Sequence, residues 1–293
     1  MLAHLRRLTA VLLLALWALP APFHAQRAPI GAASADFVQM TALDTAAAAT
    51  RHVDYWADAG ATSLKACMQV SRAALGAAVQ AGHARGLKIT GHLCSVTYTE
   101  AAQLGIDNLE HGFFAATDFV AGKQPDVCPG QGRGQQTIAE LNPQGAPFTT
   151  LVKTLVDKHV ALTSTLTVFE AGMPARPVPP GIDVLVPLLR TQFEHNRART
   201  AASTTPTVMP ALFAKVMRLE REFARAGGVL LAGTDPTGGG GVIPGFANQR
   251  QLELLVEAGF TPLEAIGIGT RNAARFLGRE GRIGTVAMGS RRT

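Results

Sequence analysis

Apolar residues recur along the chain in two alternating spacings. Short runs, "ATSLKACM", "LKITGH", "IDNLEH", "VALTSTL" and "GGVLLAGTD", read as strands, and the stretches between them follow a helical period. In "AAAATRHVDYWADAG", Val53, Trp56 and Ala57 share one face, Asp44 or Thr45 stands where a cap belongs, and Gly60 ends the helix. Ser71 caps "RAALGAAVQAGHAR", which Gly86 closes, and a brief helix is predicted over "TEAAQLG". Further helices are predicted over "FTTLVKTLVDKH", near residues 182–203 and 210–226, over "NQRQLELLVEAG" and over "TPLEAIGIGTRNAARFLG". The last opens on Thr261 as N-cap, Pro262 at N1 and Glu264 at N3, a capping box. Residues 121–147 and "FEAGMPARPVPPG" read as irregular excursions. Helix and strand in alternation predict an α/β fold with a parallel sheet and right-handed crossovers.

The first residues follow a different pattern. "MLAHLRR" is basic, "LTAVLLLALWAL" is apolar and "PAPFHAQ" breaks a helix, so residues 1–26 are expected to be a secretory signal peptide. The apolar run falls short of the roughly 20 residues that a spanning helix needs, so no stable membrane span is expected after cleavage. The expected location is outside the cytoplasm, periplasmic or extracellular. Residues 27–45 read as a small-residue connector.

Composition narrows the classes. With 293 residues and 47% hydrophobic content, the chain can bury a core. Its formal charge is +6, and 25 basic against 21 acidic residues remain, or +4, once Arg6 and Arg7 are set aside. The arginines are scattered and no aromatic-studded basic stripe exists, so no nucleic-acid partner is expected. The three cysteines, Cys67, Cys94 and Cys128, show no CxxC spacing. Two readings stay open: a Cys94–Cys128 bridge in an exported chain, or small buried thiols, which the spacing favours.

In parallel βα architectures, side chains at the C-terminal ends of strands converge on one face, where catalysis is built. Lys65, His92, His111 and Asp235 stand at or near such ends on four different strands. Imidazole and carboxylate suit zinc and related divalent ions. Singly, each has a plainer role: a hydrogen-bonded histidine, an Asx turn, a solvated lysine. Their equivalent placement in successive strands is what singles them out. His83 and His195 lack that placement and read as surface residues. Arg176 could clamp a substrate carboxylate, but reads first as a surface arginine.

The run "GATSLKACM … GLKITGHL … AAQLGIDNLEHG … LLAGTDPTG … GFTPLEAIGIGTRNAARFLG … GRIGTVAMG" resembles the metal-dependent amidohydrolase superfamily, near its imidazolonepropionase and Xaa-Pro dipeptidase-like branch. The resemblance covers roughly residues 50–112 and 225–290. It implies part of a (β/α)8 TIM-type barrel, about strands 4 to 8, over residues 46–279, with 280–293 the stub of a return segment and the small β-sandwich domain largely missing. It implies a divalent metal ion, zinc foremost, with His92 and His111 as ligands after the fifth and sixth strands and Asp235 after the eighth. Lys65 matches the fourth-strand lysine that some binuclear members carbamylate. The implied chemistry is hydrolysis of an amide, cyclic amide or peptide bond in a small-molecule amide or dipeptide. Metal-bound water attacks, and Asp235 carries the proton to the leaving nitrogen.

The sequence departs from that pattern in one respect that matters for chemistry. His-x-His, which ends the family's first barrel strand, occurs nowhere: the eight histidines are His4, His24, His52, His83, His92, His111, His159 and His195. A barrel lacking its first strands would expose unpaired edges, which favours instability alone or a homo-oligomer. Two further expectations therefore stand beside the hydrolase: a catalytically inactive chain of the same ancestry, and a secreted binding protein with "DPTGGGGVIPG" as its ligand loop. That loop is not a phosphate cradle, since it lacks the GK[ST] ending.

Overall fold

The computed structural model describes the backbone of residues 21–24, and residues 41–43, 45–236 and 241–286. Of the expected signal peptide over residues 1–26, residues 1–20 and 25–26 lie outside the described residues, as do residues 27–40 and 44 of the connector, residues 237–240 of the "TGGGG" run and residues 287–293. The chain divides into two compact units, residues 1–108 with 121–129 and residues 109–120 with 130–293.

In the first unit, strands β1 (Ala21–His24), β2 (Thr41–Ala42), β3 (Ser63–Ala66) and β4 (Lys88–Gly91) run parallel in the order β2-β1-β3-β4. Beyond the five strands expected from the sequence, β1 and β2 therefore extend the sheet past β3, with Ala21, Pro22 and Phe23 in register with Leu64, Lys65 and Ala66. Helix α1 (Ala46–Asp58) is capped by Thr45, whose side chain accepts from the Ala48 amide, and α2 (Arg72–Ala84) by Ser71, which accepts from Ala74. Ala74, Leu75, Ala78, Val79 and Gly82 form the buried stripe of α2. Gly82 is required there, because a β-carbon would press within 2.7 Å of Ile89 Cδ1 on β4. The next helix, α3 (Tyr98–Gln103), starts slightly earlier than predicted. Thr97 and Glu100 form its capping box, a signal hidden by the apolar Tyr98 between them.

Cys94 and Cys128 are joined by a disulfide and Cys67 is buried and free. This corrects the expectation of separate thiols. Spacing along a chain carries no information on whether two cysteines 34 residues apart meet, and here their Cα atoms lie 4.9 Å apart. The bridged loop is also pinned by Asp126, which accepts from the Arg72 amide at 2.7 Å, and by Lys123, which donates to the Ser95 carbonyl at 2.6 Å.

Strand β5 (Asn108–Glu110) leads into the second unit, where the order is β5-β6-β7, with β6 (Ala161–Ser164) parallel to β7 (Leu230–Ala232). The excursion expected over residues 121–147 contains a helix, α4 (Gln131–Glu140), which its two glycines, Gly132 and Gly134, had disguised as loop. Next come α5 (Ala146–Asp157), α6 (Leu166–Ala171), α7 (Pro187–Ala202), α8 (Met209–Arg225) and α9 (Phe246–Glu257). The last helical run is α10 (Pro262–Gly267), a π-helical turn (Ile268–Asn272) and α11 (Ala273–Phe276), and its predicted capping box is present. The core gathers around Phe113, edge-on to Phe148 of α5 at 5.1 Å and to Phe223 of α8 at 6.2 Å. Each such buried side chain contributes roughly 1.5–3 kcal/mol. Among the described residues, no helix is long and apolar enough to cross a membrane.

Candidate active site

The second unit builds its site on the exit of β6. Thr163 accepts from the Gly112 amide at 2.8 Å, and Ser164 accepts through its carbonyl from Gly233 at 2.8 Å. Thr165 Oγ1 lies 2.8 Å from His111 Nδ1, and Thr167 Oγ1 donates to the Thr234 carbonyl at 3.3 Å. One short segment thus holds the turn after β5, which carries His111, and the turn after β7, which carries Asp235. With Nδ1 engaged by Thr165, the Nε2 nitrogen of His111 faces Asp235, 3.4 Å from Oδ2.

The two side chains differ in access. His111 is 4% exposed, edge-on to Phe169 with ring centroids 6.0 Å apart, and Phe169 in turn stacks on Phe114 at 3.5 Å. Asp235 keeps 25% of its side chain exposed. Buried imidazole and solvent-reaching carboxylate make a pair that can orient a water molecule and take up its proton. Both residues have left-handed backbones, φ 68° at His111 and φ 47° at Asp235. Such strain persists only where surrounding bonds enforce it.

Lys65 and His92 belong to the first unit, on neighbouring strands. Lys65 lies opposite Thr90, two residues before His92, so by the two-residue period of a strand the three share one face. His92 is half-buried, and its amide donates to the Ala66 carbonyl at 3.0 Å. The chain just after it is anchored by Ser95, whose Oγ donates to the Val70 carbonyl, and by the Cys94 disulfide. Among the described residues, no group of three or more histidine, cysteine, aspartate or glutamate side chains stands together as a metal site.

The remaining expectations divide. His195 is exposed, and His83 is largely so, paired with Asp107 at 2.9 Å. Arg176 is committed to Glu170 and Glu257 at 2.6 and 2.5 Å, and Arg250 joins the same carboxylates at 2.8 and 2.7 Å. These ion pairs tie α6 to α9, and they occupy the guanidinium that the sequence offered as a substrate clamp.

One group escaped the sequence reading. Glu220 is fully buried on α8, and its Oε2 accepts from Ser164 Oγ at 2.6 Å. Ser164 Oγ itself accepts from Gln251 Nε2 at 2.9 Å, and Gln251 Oε1 accepts from the Thr167 amide at 3.2 Å. Burial pushes the Glu220 carboxyl up to about 8, against the Ser164 hydrogen bond, which pulls it down. A signal was present: Glu220 falls at i+4 from Val216 and one place after Leu219, inside the apolar stripe of α8.

No family model matches the sequence and no curated protein matches it. Solved structures do. A Xaa-Pro dipeptidase with bound methionine in the active site superimposes at a TM-score of 0.54 and 16% identity, over 89% of this chain and 55% of that one. The bottromycin amidohydrolase gives 0.59 at 19% identity, over 83% and 52%, and the ochratoxinase of A. niger gives 0.52 at 17%, over 91% and 51%. The chain has the amidohydrolase fold. It spans a little over half the length of each of these proteins. In this parallel α/β fold His111 and Asp235 follow the C-terminal ends of β5 and β7.

Proposed function

We propose that this chain is a hydrolase of carbon–nitrogen bonds, acting on a small amide, cyclic amide or dipeptide. The observation that carries the reading is the His111–Asp235 pair at the ends of β5 and β7, in a fold shared with a Xaa-Pro dipeptidase, the bottromycin amidohydrolase and an ochratoxinase. In this reading Asp235 accepts a proton from the attacking water and returns it to the leaving nitrogen. His111, locked through Nδ1, holds Asp235 and the water in line.

Metal dependence, with zinc as the first choice and His92, His111, Asp235 and Lys65 as the ligand set, is the further part of the proposal. A catalytic zinc takes three protein ligands. The second unit brings two donors together, and no three-donor group stands among the described residues. The donor set so described falls short of a closed metal site. That observation favours a second reading, an amidohydrolase-fold chain without turnover. Export, from the leader-like residues 1–26, belongs to the proposal as well.

The deciding experiment measures bound metal per mole of folded chain by plasma mass spectrometry, alongside hydrolysis of amide and dipeptide panels. Turnover that disappears in Asp235→Asn establishes the hydrolase. A folded chain with neither metal nor turnover establishes the second reading.

A further inference from the structure

We propose that Glu220 is a positioning residue: its buried carboxyl, bonded to Ser164 and seated against Gly112, braces the turn that presents His111 to Asp235. The proposal rests on the hydrolase reading only for its effect on metal binding or turnover; the bracing itself is a property of the chain alone.

Three observations converge. First, His111 and Gly112 are consecutive left-handed residues, φ 68° and 56°, a turn that must be held from outside. Second, Gly112 leaves no room beside it: a β-carbon there would overlap Glu220 Oε1. The carboxyl therefore fills the space behind the turn, and the glycine after His111 is demanded by the carboxyl as well as by its own backbone. Third, a carboxyl with no exposed surface is expensive to bury, and a leucine or methionine would fill a void more cheaply. What a hydrocarbon cannot do is accept from Ser164 Oγ. That bond links Glu220 to the same β6 exit that holds His111 through Thr165, the Gly112 amide through Thr163 and the Gly233 amide through Ser164. Gln251 completes the brace by donating to Ser164 and accepting from Thr167.

The test uses the full chain labelled with 15N-histidine, reading the ring-nitrogen resonances of His111 without metal and then titrating zinc alone by calorimetry. Glu220→Gln, which keeps volume and an acceptor for Ser164, is expected to leave the His111 resonances in place. Glu220→Ala is expected to shift or broaden them while circular dichroism shows a folded protein. Resonances unmoved in folded Glu220→Ala overturn the proposal, as does Glu220→Gln behaving like the alanine variant. Should Glu220→Ala not fold, Ser164→Ala decides by the same resonances: moved supports the brace, unmoved overturns it. Wild-type chain that binds no zinc counts against the metal reading and leaves the brace to be judged on the resonances.

Discussion

His111 and Asp235 meet with Nε2 and Oδ2 3.4 Å apart, each on a left-handed backbone at the end of its own strand. Neither conformation is favourable for a residue with a side chain, and both are enforced by bonds to the exit of β6. The pair is thus a product of the sheet order rather than of the local sequence.

If Asp235 is the proton acceptor, Asp235→Asn removes the acceptor and keeps the shape. Hydrolysis of a responsive amide or dipeptide is expected to fall by about a hundredfold or more, with the melting temperature nearly unchanged. Turnover equal to that of the wild type in a folded variant counts against the assignment.

Gly112 should tolerate no side chain. Gly112→Ala imposes both a left-handed backbone on alanine and an overlap with Glu220 Oε1, so a loss on the order of 3 kcal/mol is expected in urea unfolding. In a Glu220→Ala background the overlap is gone and only the backbone cost, about 1–2 kcal/mol, should remain. Equal losses in the two backgrounds would show that the carboxyl does not press on the glycine.

Glu220 also sets a pH dependence. Its folded value lies near 8, above the ordinary 4.5, so between these the folded chain holds a proton that the unfolded chain has released. Stability relative to Glu220→Gln is therefore fully present below pH 4.5, declines by about 1 kcal/mol per pH unit as pH rises toward 8, and levels off above it. Denaturant unfolding of both proteins at several pH values measures the difference. A difference that rises with pH, or stays flat, contradicts the buried neutral carboxyl.

The Cys94–Cys128 bridge closes a segment of 34 residues. Loop entropy then assigns it about 3–4 kcal/mol. Reduction, or Cys94→Ser, is expected to lower stability by that order, and the loop around Asp126 should become the earliest site of proteolysis. Cleavage elsewhere first, with unchanged stability, would show that the Asp126–Arg72 and Lys123–Ser95 bonds hold the loop without the bridge.

Capping gives a local check. Thr261→Ala removes the side chain that accepts from the Glu264 amide and donates to Glu264 Oε2, and leaves only the bond from the backbone amide of residue 261 to that carboxylate. A cost of about 1 kcal/mol is expected in thermal unfolding, and no change would mean that α10 is held by packing alone.

The sequence by itself determined the repeating helix and strand, the caps at Ser71 and Thr261, a first cap at Asp44 or Thr45, and the positions of Lys65, His92, His111 and Asp235 at or near strand ends. These depend on period, on chain-local hydrogen bonds and on where an apolar run stops, and all three are written within a few residues. Helix α4 was missed because Gly132 and Gly134 weaken its helical signal and neighbours elsewhere in the chain supply the stability. Only the tertiary structure decided that Cys94 meets Cys128, that His111 turns its Nε2 to Asp235, and that a glutamate in an apolar stripe ends against Gly112 and Ser164. Each joins residues more than thirty positions apart, and such contacts are fixed by how strands are ordered and helices packed, which no local spacing records.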